Sequence, residues 1–466
     1  MSDEARAAAE RQATFREVFS QPEYRAVYLA SALSWFGDYI SKAAVTVLVY
    51  EQTQSVAMSA AAFAISYLPW LLGGPLLATI AERSPYRTVM VSADLIRMVL
   101  VGVIALIEMP AALLLVLIFL CTLANPPSQA ARSALLPLIL TGDRLVVGLS
   151  VNLTTGQAAQ VAGYLAGAAV AAVNPRLALA VDAGTYALSA LLIRFGVRSR
   201  PPAMTAAHRS HLLRETADGF RIVFGTPVLR SIAVLVFAAM LFAIVPEGLA
   251  AAWAATLGGD SEAHRGFSQG VIMAASPAGF IIGGLVTARL LRPDVRRALI
   301  RPFAVIAPLS LVPALFGPSA MGIAAMAAVC GFAVAGMMPA ANGLFVQALP
   351  HGFRARAFGV MQSGTQIMQG AAVLATGVLA EHNPIPRVVG LWSLAGVVLI
   401  LLASTQWPSA DRFNALVAAA GRAKSGTAPP PPPPAPLDQP ARRNGAHQGD
   451  AHDVVEQVRL PGKIER

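Results

Sequence analysis

A chain of 466 residues that is 56% hydrophobic and 13% charged, with a mean hydropathy of +0.60, has far less charge than a soluble domain, which carries about 25%. Its formal charge of +10 is spread over short links between long apolar runs. That pattern excludes a nucleic-acid partner, which needs a basic stripe on a soluble face, and points to membrane topology. Cys121 and Cys330 both lie in apolar runs, so they give neither a disulfide framework nor a metal-ligand spacing.

Residues 1–22 alternate acids and arginines, show no cleavable signal, and read as a charged cytoplasmic segment. Apolar runs then recur at 24–50, 58–80, 88–108, 111–133, 147–172, 176–195, 228–251, 267–290, 299–317, 320–341, 356–380 and 386–406. Each approaches the ~20 residues that a helix needs to cross a bilayer, so the expectation is an all-α integral membrane protein of twelve spans. Links on the starting side hold most arginines, among them Arg83, Arg87, Arg132, Arg144, Arg198, Arg289 and Arg354. Opposite links hold only Arg176, Arg265 and Arg387, beside Glu51, Glu108 and Glu381. The bias puts both termini in the cytoplasm of a multi-pass protein of the cell membrane.

The stretch YLPWLLGGPLLATIAERSPYRTVMVSADLIR, Tyr67 to Arg97, reads as a tight charged hairpin between two spans. GFIIGGLVTARLLRPDVRRALI, Gly279 to Ile300, repeats its Gly-Gly pair, Arg-rich link and single Pro. A hairpin that returns in the second half implies two copies of one bundle. The expected organisation is a segment 1–22, a six-helix half 23–196, a cytoplasmic linker 197–226, a second six-helix half 227–408 and a tail 409–466. The linker has apolar residues at helical spacing and reads as lying along the membrane surface. The tail, with six consecutive prolines Pro429–Pro434, lacks the apolar surface to fold.

Ionisable side chains at bilayer depth are expensive and mark function. Asp38 and Lys42 share one face of the first span, Asp38 roughly 21 Å from the cytoplasmic face at 1.5 Å per residue. A carboxylate poised between burial and a neighbouring cation can take a proton on one side and release it when a cation approaches. Asp38, Lys42 and Asp182 are therefore the proton-coupling candidates; the bland alternative is a static pair that holds the first span in place. No histidine lies in a span, so coupling falls to carboxylates. Glu247 is expected near the outer mouth, solvated.

Glu82, Arg83 and Arg87, with Asp94 and Arg97 nearby, are assigned to a cytoplasmic gate. An acid there can accept backbone N–H bonds at a neighbouring helix start and pair with an arginine across the seam between halves. The simpler alternative is that these arginines only set topology. Trp35, Tyr39, Gln157, Gln160, Asn342, Gln362, Gln366 and Gln369 are the substrate-cavity candidates. Gln362, Gln366 and Gln369 share a helix face that lipid would disfavour. Gly163 with Gly167, and Gly279 with Gly283, permit close helix approach.

Six spans, a basic link and six more resemble the major facilitator superfamily over about residues 20–408. The link after the second span matches that family's cytoplasmic signature in part. Glu82 stands for its acid, Arg83 matches and Arg87 is basic, whereas Ala78 replaces a Gly and Pro85 and Tyr86 depart from it. The second copy keeps Gly284 and Arg289 but has Ala288 at the acid. SWFGDYI (34–40), ADLIR (93–97), PPSQAARSALLPLIL (126–140), VDAGTYALSALL (181–192) and ALPHGFRARAFGVMQSG (348–364) are similar to the branch that holds siderophore exporters and related efflux proteins. The resemblance implies a monomeric, proton-driven exporter of a small hydrophobic or amphipathic compound, with substrate, protons and the bilayer as partners and no cofactor. No Pro follows Gly167, where antiporters of the superfamily often carry a Gly-Pro pair, and this departure counts against antiport. There is no GxxxxGK[ST] phosphate loop, nucleophile–base arrangement or metal cluster, so neither an ATP-driven pump nor an enzyme is expected. The rivals are an importer of a nutrient or lipid on the same fold, and a scaffold acting through the tail.

Overall fold

The computed structural model describes residues 13–70, 84–200, 212–257, 261–349 and 354–407, and every regular element among them is helical. A short α1 (Phe15–Phe19) precedes α2 (Pro22–Thr53), which Pro22 opens and Gln54 closes in the left-handed conformation, φ 50°. α3 (Val56–Ala64) passes into a 3-10 turn, Ile65–Tyr67. Then come α4 (Tyr86–Leu106), α5 (Ala111–Leu123), α6 (Asn125–Ile139), α7 (Asp143–Val173) and α8 (Pro175–Gly196). The second set begins with α9 (Leu212–Gly225), α10 (Pro227–Ala243), α11 (Val245–Thr256) and α12 (Glu262–Leu290). It ends with α13 (Pro293–Ala298), α14 (Ile300–Leu309), α15 (Ala320–Ala348), α16 (Arg354–Glu381) and α17 (Ile385–Thr405).

Among the described residues, seven stretches are long and apolar enough to cross a membrane: α4, α5 with α6, α8, α10 with α11, α12, α15 and α17. Shorter apolar helices cover Val56–Trp70 and Ile300–Phe316. α2, α7 and α16, of 32, 31 and 28 residues, have the length of a span but carry more polar side chains. The twelve spans expected from the sequence are reached only by adding these five helices to the seven. All three polar helices contribute side chains to the cavities described below.

Two boundaries correct the sequence reading. α6, opened by Pro126 and Pro127, runs on to Ile139, past the expected end of the span at 133. Arg132, expected in a link, is therefore inside a helix and only 6% exposed. Likewise α11 runs to Thr256, past the expected end at 251, which draws Glu247 in from the mouth to 4% exposure. Glu82, Arg83, most of the hairpin and the tail after residue 407 lie outside the described residues. α9 packs against α16, with Gly219 beside the Arg356 carbonyl.

α2 is the hub of the first set and packs on both α7 and α8. A Cβ at Gly163 would lie 2.6 Å from the Tyr39 Cβ, and one at Gly167 would lie 2.7 Å from the Ile40 Cα. These glycines let α7 meet α2 backbone to backbone, the close fit that dispersion forces reward where lipid offers no hydrophobic gain. Gly279 and Gly283 do the same for α12 against Ala328 and Phe332 of α15.

The sets meet along a seam formed by α7 with α12 and α3 with α16. Small residues make it: Ala168 and Ala172 face Gly266, and Ala60 faces Gly377. Among the described residues, its hydrogen bonds run from the middle to the end that carries residues 51–57 and 381–384. There Gln269 Nε2 donates to the Ala43 carbonyl at 3.0 Å. Glu381 Oε2 accepts from Ser55 Oγ at 3.1 Å and from the Ala57 N–H at 2.9 Å, so an acid of α16 caps the N-terminus of α3.

Candidate functional site

Two cavities, of about 200 and 330 Å³, meet where α2, α3 and α16 converge, and share Tyr39, Lys42, Tyr67 and Gln366. Behind the first stands a charge network built from four helices of the first set. Arg97 on α4 donates from Nη2 to Asp94 Oδ1 at 2.5 Å and from Nη1 to Asn125 Oδ1 at 2.6 Å. Its Nη1 also lies 3.6 Å from Asp38 Oδ1 of α2, and its guanidinium stacks 4.5 Å above the Tyr186 ring. Tyr186 OH donates to Asp38 Oδ1, and Ser189 Oγ donates to Asp94 Oδ2 at 2.6 Å. Asp94 and Arg97 are sealed, at 0% and 2% exposure, while the Asp38 side chain keeps 28%. Asp38 is thus the member of the network that cavity water and protons can reach.

Lys42 does not pair with Asp38. Spacing by four puts the two residues on one helix face but leaves their side chains free to part. Asp38 turns to Arg97 and Tyr186, whereas the Lys42 ammonium lies 4.7 Å from the ring centroids of both Phe63 and Tyr67. Among the described residues it makes no ion pair.

The second cavity holds a carboxylate from the other set. α10 gives way to α11 at Ile244, with Pro246 in the first turn of the new helix, and Glu247 follows at once. Its Oε2 accepts from Tyr164 OH at 3.1 Å and Gln160 Nε2 at 3.4 Å, both on α7 across the seam. Gln157, Ser276, Gln366, Gln369 and Lys42 line the same cavity. A charge here is held only by neutral donors and a distant cation, so a proton can replace those contacts without leaving a buried charge bare.

The sequence profile of the Major Facilitator Superfamily matches residues 27–373. The chain belongs to that superfamily. It is an integral, multi-pass membrane protein and a transporter, not an enzyme. Among solved structures it is similar to a mutant of the nucleoside transporter NupG, with a TM-score of 0.68 at 15% identity, covering 83% of this chain and all of that one. It is also similar to a mutant of the peptide transporter POT, with a TM-score of 0.64 at 15% identity over 89% of this chain and 99% of that one. A third likeness is to a POT family transporter in complex with a thioalcohol-conjugated peptide, with a TM-score of 0.65 at 10% identity over 82% and 95%. At such identities the likeness shows the fold alone. A search of curated protein sequences found no match.

In this member of the superfamily the residues expected at the site divide. Trp35, Asp38, Tyr39, Lys42, Gln157, Gln160, Gln366 and Gln369 line the two cavities. Gln362 is exposed and Asn342 half-buried, and neither borders these cavities, so the shared face of α16 turns inward only from Gln366 on. Asp182 is fully buried beside Gly37, where Thr185 Oγ1 donates to its Oδ1 at 3.2 Å. Asp94 and Arg97, expected with the gate, bind Asp38, Asn125 and Ser189 instead of link residues. Arg87 donates from Nη1 to the Val197 carbonyl at 3.4 Å, which caps the end of α8 and ties the link to its own set. The sequence reading placed Arg132 elsewhere; its guanidinium lies 5.4 Å over Trp35, on the flank of the first cavity.

Proposed function

We propose that this chain is a proton-coupled secondary transporter that carries a small amphipathic compound by alternating access, the two helix sets rocking about the paired cavities. The observation that carries the reading is the Glu247 carboxylate, buried in the seam and held by Tyr164 and Gln160 of the opposite set. Rocking must break those bonds, and a proton on Glu247 offsets their loss. Conformation and protonation are then linked through one group, and each can shift the other. Asp38, open to the neighbouring cavity, is the second proton carrier.

The seam is bonded at the end that carries Glu381, which the arginine bias of the links makes the outer end. Twelve spans in two six-helix halves, with both termini cytoplasmic, complete the reading. The motifs similar to efflux proteins support export as the direction.

The test is flux of a panel of amphipathic compounds in proteoliposomes of each orientation under an imposed pH gradient. The expected result is gradient-driven export that an uncoupler abolishes and that Glu247→Gln lowers by more than about tenfold, or 1.4 kcal/mol. Full gradient-driven flux in Glu247→Gln would remove this carboxylate from the mechanism. Gradient-driven uptake into the right-side-out preparation alone would reverse the direction.

A further inference from the structure

Each carboxylate around the cavities has at least one donor, although Asp182 Oδ2 has none. Asp38 takes Tyr186 and Arg97, Asp94 takes Arg97 and Ser189, Asp182 takes Thr185, and Glu247 takes Tyr164 and Gln160. Lys42 differs from these carboxylates in sign and in partners. It sits where the two cavities join, with the faces of Phe63 and Tyr67 each 4.7 Å away. Ring faces attract a cation, but they do not supply lone pairs for its three N–H donors. Among the described residues the ammonium has no hydrogen-bond acceptor, and it borders both cavities.

We infer that Lys42 anchors an acidic group of the transported compound, which makes the substrate class small organic carboxylates with an apolar or aromatic body. The inference rests on the reading of these cavities as the transport path. A carboxylate at Lys42 gains charge-assisted hydrogen bonds that no protein group now makes. Gln366, which borders both cavities, is placed to donate to the same acid. The body finds Tyr39 and Tyr67 on one side, and Met240, Phe280 and Met338 on the other. The cavities, about 200 and 330 Å³, suit a compound at the small end of ligand sites, which run from about 300 to 1,000 Å³. A negative charge leaving a cell with a negative interior is also drawn outward by the membrane potential.

The test uses the full-length protein in detergent and three probes of matched body: phenylbutyrate, its neutral amide, and phenylbutylamine, which is an ammonium at neutral pH. Binding is read by quenching of tryptophan fluorescence, since Trp35 and Trp70 border the first cavity. Phenylbutyrate is expected to bind at least ~tenfold more tightly than either other probe, the scale of one charged hydrogen bond. Lys42→Gln should erase that preference by bringing acid binding down to the level of the amide, and Lys42→Arg should keep it. Equal binding of the three heads, tighter binding of the amine, no binding of the acid, or a preference that survives Lys42→Gln overturns the inference. Flux separates it from the reading beneath it. Acid binding through Lys42 with no flux under a pH gradient leaves the anchor standing and sinks proton coupling. Proton-coupled flux of uncharged compounds, indifferent to Lys42→Gln, does the reverse.

Discussion

Asp38 and Glu247 are both carboxylates on a cavity wall, yet their partners come from different places. Every group that holds Asp38 belongs to the first helix set: Arg97 on α4, Tyr186 on α8, and behind them Asp94, Asn125 and Ser189. Glu247 of α11 is held from across the seam by α7. A network inside one body survives any motion of that body and sets its shape. A bond between bodies exists in one conformation and not the other, so the same chemistry serves architecture in the first place and switching in the second.

Arg97 gives the sharpest way to break the comparison. Arg97→Met leaves Asp94 fully buried with Ser189 as its remaining donor and strips Asp38 of its cation. Removing one partner of a buried pair costs about 3–5 kcal/mol. The expected outcome is a protein that fails to accumulate in the membrane or melts many degrees lower in detergent, as read by thermal unfolding. Glu247→Gln, by contrast, should leave the melting temperature near the wild-type value. If Arg97→Met melts normally, the network is not architectural and the contrast with Glu247 dissolves.

Asp38→Asn comes next. It keeps the Tyr186 contact and the shape of the site but removes the charge that Arg97 faces. Unfolding should shift by about 1–2 kcal/mol, while gradient-driven flux falls and exchange without a gradient persists. Equal loss of both kinds of flux would mean that Asp38 shapes the site and carries no proton.

Glu381 offers the smallest effect. It lies exposed as the last residue of α16, past the expected span at 356–380, and the Ala57 N–H, first among its contacts, holds its carboxyl below the ordinary value of 4.5. A group depressed in this way contributes above that ordinary value and loses its contribution as pH falls below it. Acidifying the side that Glu381 faces to below about pH 4.5, or Glu381→Gln, should therefore loosen this end of the seam by less than ~1 kcal/mol. Faster thiol labelling of Ala57→Cys would register it. Unchanged labelling in both cases would show that packing alone closes that end.

Much of this was legible in the sequence, and the misses share a cause. Periodicity and the cost of buried charge picked out Asp38, Lys42 and the glutamines of α7 and α16, because lipid tolerates none of them on its face. Depth was harder. Arg132 and Glu247 were displaced in the reading because their spans were cut short. α6 runs on to Ile139 past the expected end at 133, and α11 runs to Thr256 past the expected end at 251. The available signal for Glu247 was the VPEG turn, a helix break that carries an acid within an otherwise apolar run. Pairing was harder still. Four-residue spacing suggested Asp38 with Lys42, but the side chains that outcompete Lys42 lie 59 and 148 positions away in the chain (97 − 38 and 186 − 38). No local pattern reports contacts at that range.

The alanines and glycines of the seam have a mechanical corollary. Surfaces made of Ala168, Ala172 and Gly266 present little relief, so one can glide over the other without side chains having to unlock. Friction along such a plane is low, and the few polar clasps set nearly the whole barrier to movement. Evolution could therefore retune the speed of this machine by editing single hydrogen bonds while leaving its bearings untouched.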